Sequence, residues 1–251
     1  MRVDTGGFII TGNVPKHVVV RAIGPSLTKF GFSPAELLAD PLLELHGPGS
    51  FAPITNNNWK DKQEAQINAD GLAPTNDLES AIDATLAPGN YTAIVKGNTG
   101  TTPAGIALVE VYDVNTAAAS KLANLSTRAL VGTGSNVVIA GFILGNQTGD
   151  DRIVVRGLGP SLSSFGVSNP LQDPTLELRT QNGTLVRANN DWTEDPVQAA
   201  QITAAGLAPS NMKESAIAAT LAPGLYTAIL AGVNNGTGIG LVEVYDRGGG
   251  P

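Results

Sequence analysis

Short runs of β-branched and aromatic residues, bounded by Gly, Pro or Asn, recur along the whole chain. Val18-Val19-Val20, Tyr91 to Val95 and Leu108-Val109-Glu110-Val111-Tyr112 are the clearest in the first half. Ile153-Val154-Val155, Tyr226 to Leu230 and Leu241-Val242-Glu243-Val244-Tyr245 are their counterparts in the second. Their length, residue types and boundaries predict strands. Pro88-Gly89 and Pro223-Gly224 precede two of them, so the preceding Ala-Thr-Leu runs read as hairpin partners across tight turns. Asn182-Gly183, between Leu176-Glu177-Leu178 and Thr184-Leu185-Val186, predicts a further hairpin with a turn suited to positive φ. Several such hairpins in each half predict an all-β chain of two tandem antiparallel β-sandwiches.

The pattern allows one short helix per half. Asp195 reads as an N-cap, Pro196 as the first helical residue, Val197 to Ala205 as the body and Gly206 as the stop, with Asp61 to Asp70 and Gly71 as the equivalent stretch. Asn211-Met212-Lys213-Glu214 fits a capping box, but the residues after it run into the Pro223-Gly224 turn, so a strand is expected there.

The halves are copies of one unit. Arg21-Ala22-Ile23-Gly24-Pro25-Ser26-Leu27 returns as Arg156-Gly157-Leu158-Gly159-Pro160-Ser161-Leu162, and Leu108 to Asp113 returns as Leu241 to Asp246. A period this long is a whole domain and not a solenoid repeat. At about 130 residues each copy can bury roughly two thirds of its unfolded surface and needs no staple. The expected division is a first sandwich at 1–115, a linker at 116–121 and a second sandwich at 122–251.

One segment breaks the duplication. Leu122-Ala123-Asn124-Leu125-Ser126-Thr127-Arg128-Ala129-Leu130-Val131 reads as a strand with no counterpart before Arg2 or after Asp246. Two domains share one such strand, so one sandwich is expected to keep an open edge, and an open edge templates pairing with another chain. Leu122, Leu125, Thr127, Ala129 and Val131 are the candidate strand-exchange residues. The chain is either a cut from a longer array or a subunit that donates a strand. Both arrangements predict head-to-tail association with copies of itself or with adjacent repeats.

Composition narrows the partners. A formal charge of −7 and a pI near 4.8, without a local Lys/Arg cluster, disfavour nucleic acid. The longest apolar stretches, such as Val137 to Leu144, are too short to span a bilayer. With no cysteine, disulfides and thiolate metal sites are excluded. Met1 is followed at once by Arg2-Val3-Asp4 with no apolar h-region, so export would need a signal outside these residues. Low Lys with abundant Gly, Thr and Asn suits an extracellular or cell-surface domain of a bacterium.

Catalysis is not predicted. His17 and His46 are the only histidines, and their equivalents are Arg152 and Arg179, so general-base chemistry would exist in one copy alone. Ser26 and Ser161 follow Gly-Pro and lack the nucleophile elbow of Gly-x-Ser-x-Gly, which makes them turn residues. Arg21 and Arg156, with Glu110 and Glu243, stand inside apolar strands, where lone charges are costly and paired ones tolerable, so an intradomain ion pair is expected in each copy. Asn57-Asn58-Trp59 and Asn190-Asp191-Trp192 are ligand candidates, for a sugar platform or for Ca²⁺ near Asp191 and Asp195. Core anchoring of Trp59 and Trp192 is the stronger expectation. No cofactor and no metal set is implied.

Asp173-Pro174-Thr175-Leu176-Glu177-Leu178, Asn182-Gly183, Asn189-Asn190-Asp191-Trp192, Leu221 to Thr227 and the closing Gly240 to Asp246 resemble the bacterial pre-peptidase C-terminal (PPC-like) β-sandwich over the latter two thirds of each repeat. The whole unit, with Leu122 to Arg128 and Arg156 to Leu162, is similar to tandem repeats of large secreted bacterial proteins. That resemblance implies jelly-roll-like sandwiches, export and a structural or accessory role. The expected function is a non-enzymatic extracellular module that stacks head-to-tail in a surface protein or filament by strand complementation. The alternative is a carbohydrate- or calcium-binding accessory module of a secreted hydrolase.

Overall fold

A computed structural model describes residues 4–98, 105–145 and 149–249. It is an all-β chain of antiparallel sheets with little helix, and it divides into two compact units, Met1–Leu122 and Ala123–Pro251. The first unit contains β1 (Asp4–Gly12), β2 (Lys16–Ile23), β3 (Pro41–His46), β4 (Ile54–Asn56), α1 (Glu64–Ala69), β5 (Ser80–Leu86), β6 (Gly89–Gly97) and β7 (Leu108–Asp113). One sheet runs β1-β6-β3-β4 and the other β5-β2-β7. Phe8, Leu43, Leu45, Ala93 and Val95 from the first sheet and Val18, Val20 and Ile82 from the second are buried. Phe8 stacks on Tyr91 with ring centroids 5.4 Å apart.

The second unit repeats this order after one added strand. It contains β8 (Ser120–Val131), β9 (Val138–Leu144), β10 (Asp151–Leu158), β11 (Pro174–Thr180), β12 (Leu185–Asn189), α2 (Pro196–Ala204), β13 (Ser215–Leu221), β14 (Gly224–Gly232) and β15 (Gly238–Gly249). Its sheets run β13-β10-β15-β8 and β12-β11-β14-β9. A single apolar cluster joins Val131, Phe142, Ile153, Val155, Leu176, Leu178, Ile217, Leu230, Val242 and Val244, and so draws on both sheets. β8 starts at Ser120, inside the stretch expected to be linker.

The Pro-Gly turns do not make hairpins. β5 pairs with β2, whereas β6 pairs with β1 and β3, and β13 and β14 are divided between sheets in the same way. The turn therefore carries the chain from one sheet to the other. β5 is buried on both faces, with Ala81 packed under Trp59 and Ile67 of α1 while Ile82 faces the core. β6 instead lies in the opposite sheet, between β1 and β3, with alternate residues buried. The Asn182-Gly183 turn does close a hairpin, β11 to β12, with Gly183 at φ +78.

Both helices cover the outer face of their β2- or β10-containing sheet. In α2 the Asp195 carboxylate accepts from the Val197 and Gln198 N–H groups at 2.9 and 3.2 Å, closing the N-terminus. α1 lacks the Asp-Pro start and is shorter than expected, because Asp61 is taken up in a turn, its N–H donating to the Asn58 carbonyl. The Asn211–Lys213 stretch is a turn and not a strand, and β13 begins only at Ser215.

Candidate functional site

The two units carry the same sheet edge in different states. β15 is held on one side by β10 and on the other by β8, with Tyr245 opposite Asn124, Val244 opposite Leu125, Val242 opposite Thr127 and Gly238 opposite Val131. Its equivalent β7 is held by β2 alone, from Ile23↔Leu108 to Val18↔Asp113, and among the described residues no strand pairs with its other side. The side chains register the difference. Val242 and Val244 are 0 % and 5 % exposed, while Val109 and Val111 are only half-buried and Leu108 is 41 % exposed.

The strand-exchange candidates are thereby placed. Val131 is fully buried in the second unit, and Leu125 and Ala129 pack against its core. Thr127 lies opposite Val242, and Leu122 is a half-buried residue just before the paired stretch. Asn124 anchors the strand further, its side-chain amide donating to the Val244 carbonyl at 3.1 Å. Residues 124–131 thus complete their own chain's second unit, whereas β7, among the described residues, stays a sheet edge. Edge strands are commonly blunted by Pro, by Lys or by a bulge. β7 has none of these, and its one central charge, Glu110, is already bound within the unit.

That binding is the same in both copies. Arg21 Nε and Nη2 donate to Glu110 Oε2 at 2.9 and 2.6 Å, and Arg156 Nε and Nη2 donate to Glu243 Oε2 at 2.9 and 2.5 Å. The partners are directly opposite across β2–β7 and β10–β15, so the sheet register alone brings them together. Nη1 of each arginine reaches a loop carbonyl, Leu72 or Leu207, and each guanidinium lies over a tyrosine ring, Tyr112 at 4.8 Å or Tyr245 at 5.2 Å. Burial first, and the adjacent glutamate with it, pushes the Tyr112 and Tyr245 hydroxyls up to about 12. Four of the five N–H donors of each guanidinium are taken up by protein groups, which makes this a brace on the edge strand.

Glu79 and Glu214 are fully buried. Glu214 Oε1 accepts from the Gly159 and Ser161 N–H groups, both at 3.0 Å, and from Ser161 Oγ. Glu79 does the same for Gly24, Ser26 and Ser26 Oγ. The serines are therefore bound to a buried carboxylate as part of a loop clamp. Gly24 and Gly159 are required there, since a Cβ would lie 2.1 Å from the Leu38 or Leu171 carbonyl oxygen. The hydrophobic pattern carries no sign of these glutamates. Their recurrence between a polar turn and an apolar strand in both copies is the signal that could have found them.

Trp59 is 5 % exposed and packs on Ile67 and Ala81, and Trp192 packs partly buried against Ile202 and Ala216. Neither is an exposed platform. Around them, buried polar atoms without hydrogen-bond partners fall at equivalent positions in the two units: Asp40, Asn57 and Asn58 Oδ1 in the first, Asp173, Asn190 and Asp191 Oδ1 in the second, and Nε1 of both tryptophans. Ser80 Oγ donates to the Pro41 and Asn57 carbonyls, and Ser215 Oγ to the Pro174 and Asn190 carbonyls, which ties the two oxygen-bearing segments of each unit together. Buried oxygens are normally paired, so a trio repeated in two copies calls for a physical account. Asp195 is the cap of α2, and its other oxygen lies 3.4 Å from Arg187.

No protein-family model matches the chain, and no curated protein matches it.

Proposed function

We propose that the chain is a non-enzymatic, extracellular structural module of two jelly-roll-like sandwiches of PPC-like type, which joins to neighbouring units head-to-tail by addition of a strand to β7. The observation that supports this reading is the contrast between β7 and β15. An identical Leu-Val-Glu-Val-Tyr-Asp edge is covered by β8 in one unit and uncovered in the other. The occupant is a segment with the alternation of β8, supplied by a second copy or by an adjacent repeat. Backbone hydrogen bonds along β7 would set its register, and the residues at the Thr127 and Leu125 positions would cover Val109 and Val111. Head-to-tail contacts of this kind extend as a series where the rotation between units does not close a ring.

The test is a labelled synthetic peptide of residues 120–132, titrated into the full chain. Saturable binding that is lost in Val111→Pro, where the strand loses an N–H, is expected. A chain that stays monomeric at every concentration and ignores the peptide overturns the reading. Deleting 122–131 is the poorer experiment, because it removes a wall of the second unit's core.

A second reading, a calcium-binding accessory module, draws on the unpaired oxygens. Ca²⁺ takes carboxylate and amide oxygens, and Asp40 with Asn57 and Asn58, or Asp173 with Asn190 and Asp191, supplies that chemistry. The buried indoles speak against a glycan platform. Calcium titration of the wild type beside Asp40→Ala/Asp173→Ala tests it, with a rise in melting temperature on adding Ca²⁺ to the wild type alone as the expected result.

A further inference from the structure

One cluster of ligating side chains exists in the first unit and has been replaced as a set in the second. His17 on β2, Asp83 on β5 and Asp70 at the C-cap of α1 bring one ring nitrogen and two carboxylate oxygens within 4.8 Å of one another. His17 Nε2 lies 3.0 Å from Asp83 Oδ1 and 3.8 Å from Asp70 Oδ2. The equivalent residues of the second unit are Arg152, Ala218 and Ala205. We propose that His17, Asp70 and Asp83 form a binding site for a divalent transition-metal ion, with Zn²⁺ as the first candidate.

Three independent features support a cation over a simple His–Asp ion pair. Asp70 Oδ2 and Asp83 Oδ2 are both buried without a hydrogen-bond partner, so the imidazole satisfies only part of the acceptor capacity gathered there. Asp70 stands at the C-terminal end of a helix, where the backbone carbonyls already make the field negative and a carboxylate is the wrong residue unless something offsets it.

The third feature is the scaffold beneath the cluster. Gln63 grips the backbone of Asp83 at both groups, its Nε2 donating to the carbonyl at 2.7 Å and its Oε1 accepting from the N–H at 3.1 Å. Gln198 holds Ala218 similarly, accepting from its N–H at 2.8 Å. The clamp that fixes the strand is therefore common to both units, and the ligands are present in only one. An ion pair between His17 and Asp83 alone would have no need of Asp70.

The donor set is one imidazole nitrogen and two carboxylates, whose charge balances a divalent ion. Zn²⁺ accepts such ligands at about 2.0–2.2 Å, and three protein ligands leave a fourth position for water or for a group from a partner. The soft thiolate alternative is excluded, because the chain has no cysteine.

The second unit supplies the control. A His17→Arg/Asp70→Ala/Asp83→Ala variant installs residues that the same framework already carries, and so retains the fold. The full chain, stripped with chelator and dialysed, is titrated with Zn²⁺ by calorimetry, and Co²⁺ is added separately to read visible ligand-field absorption. One equivalent of Zn²⁺, a higher melting temperature, and a Co²⁺ spectrum that all disappear in the triple variant are expected. Absence of binding by the wild type, or equal binding by the triple variant, overturns the proposal. A loss of stability in the triple variant without metal binding by either chain does so too, and identifies the cluster as an ion pair. Ca²⁺ titration and the β7 peptide assay of the triple variant are expected to match the wild type, so this proposal can fail without the functional reading failing.

Discussion

β7 and β15 share the sequence Leu-Val-Glu-Val-Tyr-Asp, the same opposing strand register and the same arginine brace, yet among the described residues β15 has a neighbouring strand on both sides and β7 on one. What separates them is β8. The valines show what a strand adds to an edge that is already folded: Val242 and Val244 are sealed, whereas Val109 and Val111 are left half-covered. The brace is equally complete in both units, so the Arg–Glu–Tyr group holds the edge strand to its inner neighbour and does not depend on the outer one.

The most disruptive way to probe this comparison is at the feature both units share. Glu79→Ala or Glu214→Ala leaves two buried N–H groups unpaired and removes a fully buried side chain. Each is expected to destabilise its own unit by about 3–5 kcal/mol, measured by denaturant unfolding. Equal losses would mark the clamp as independent of β8. Arg156→Met and Arg21→Met come next. Each strands a glutamate in a mostly apolar strand, at a cost of about 3 kcal/mol where the site is well covered and less where water reaches it. A larger effect of Arg156→Met than of Arg21→Met would show that β8 deepens the shielding.

The valines sharpen the contrast directly. Val242→Ala is expected to cost about 2 kcal/mol, since a fully buried side chain is truncated, and Val109→Ala under about 1 kcal/mol. Saturating the β7 edge with the 120–132 peptide should bring the second value towards the first. Equal costs in the free chain would mean that β7 is already covered.

The smallest effect is in alkali. Tyr112 and Tyr245 have hydroxyls raised from 10.0 to about 12 in the folded chain, so folding favours the protonated phenol. That contribution is complete below pH 10 and is lost as the pH rises from 10 through about 12. Melting temperature followed over this range should fall, and Tyr112→Phe/Tyr245→Phe should flatten the fall.

Repetition, strand content and the helix per copy were legible from residue pattern alone, because period and propensity are local properties. The Arg–Glu braces were legible as well. Two opposite charges recurring inside apolar strands have few stable solutions, and cross-strand pairing is the simplest. The Pro-Gly turns were misleading, because a tight turn can join neighbours within a sheet or pass the chain between sheets. Only the strand pairing, β5 with β2 and β6 with β1 and β3, distinguishes the two outcomes. The buried role of Glu79 and Glu214 was likewise hidden, since their partners are loop N–H groups more than fifty residues away.

The amino-acid sequence by itself determined that two equivalent β units exist and that a single unmatched strand lies between them. It could not determine which unit that strand completes, because its alternation suits the edge of either. Tertiary pairing decided this, by the register of residues 124–131 on β15 and the burial of Val131. It also decided that His17, Asp70 and Asp83 meet. They come from two strands and a helix end distant along the chain, and their proximity follows from sheet order and helix packing, which no local pattern encodes.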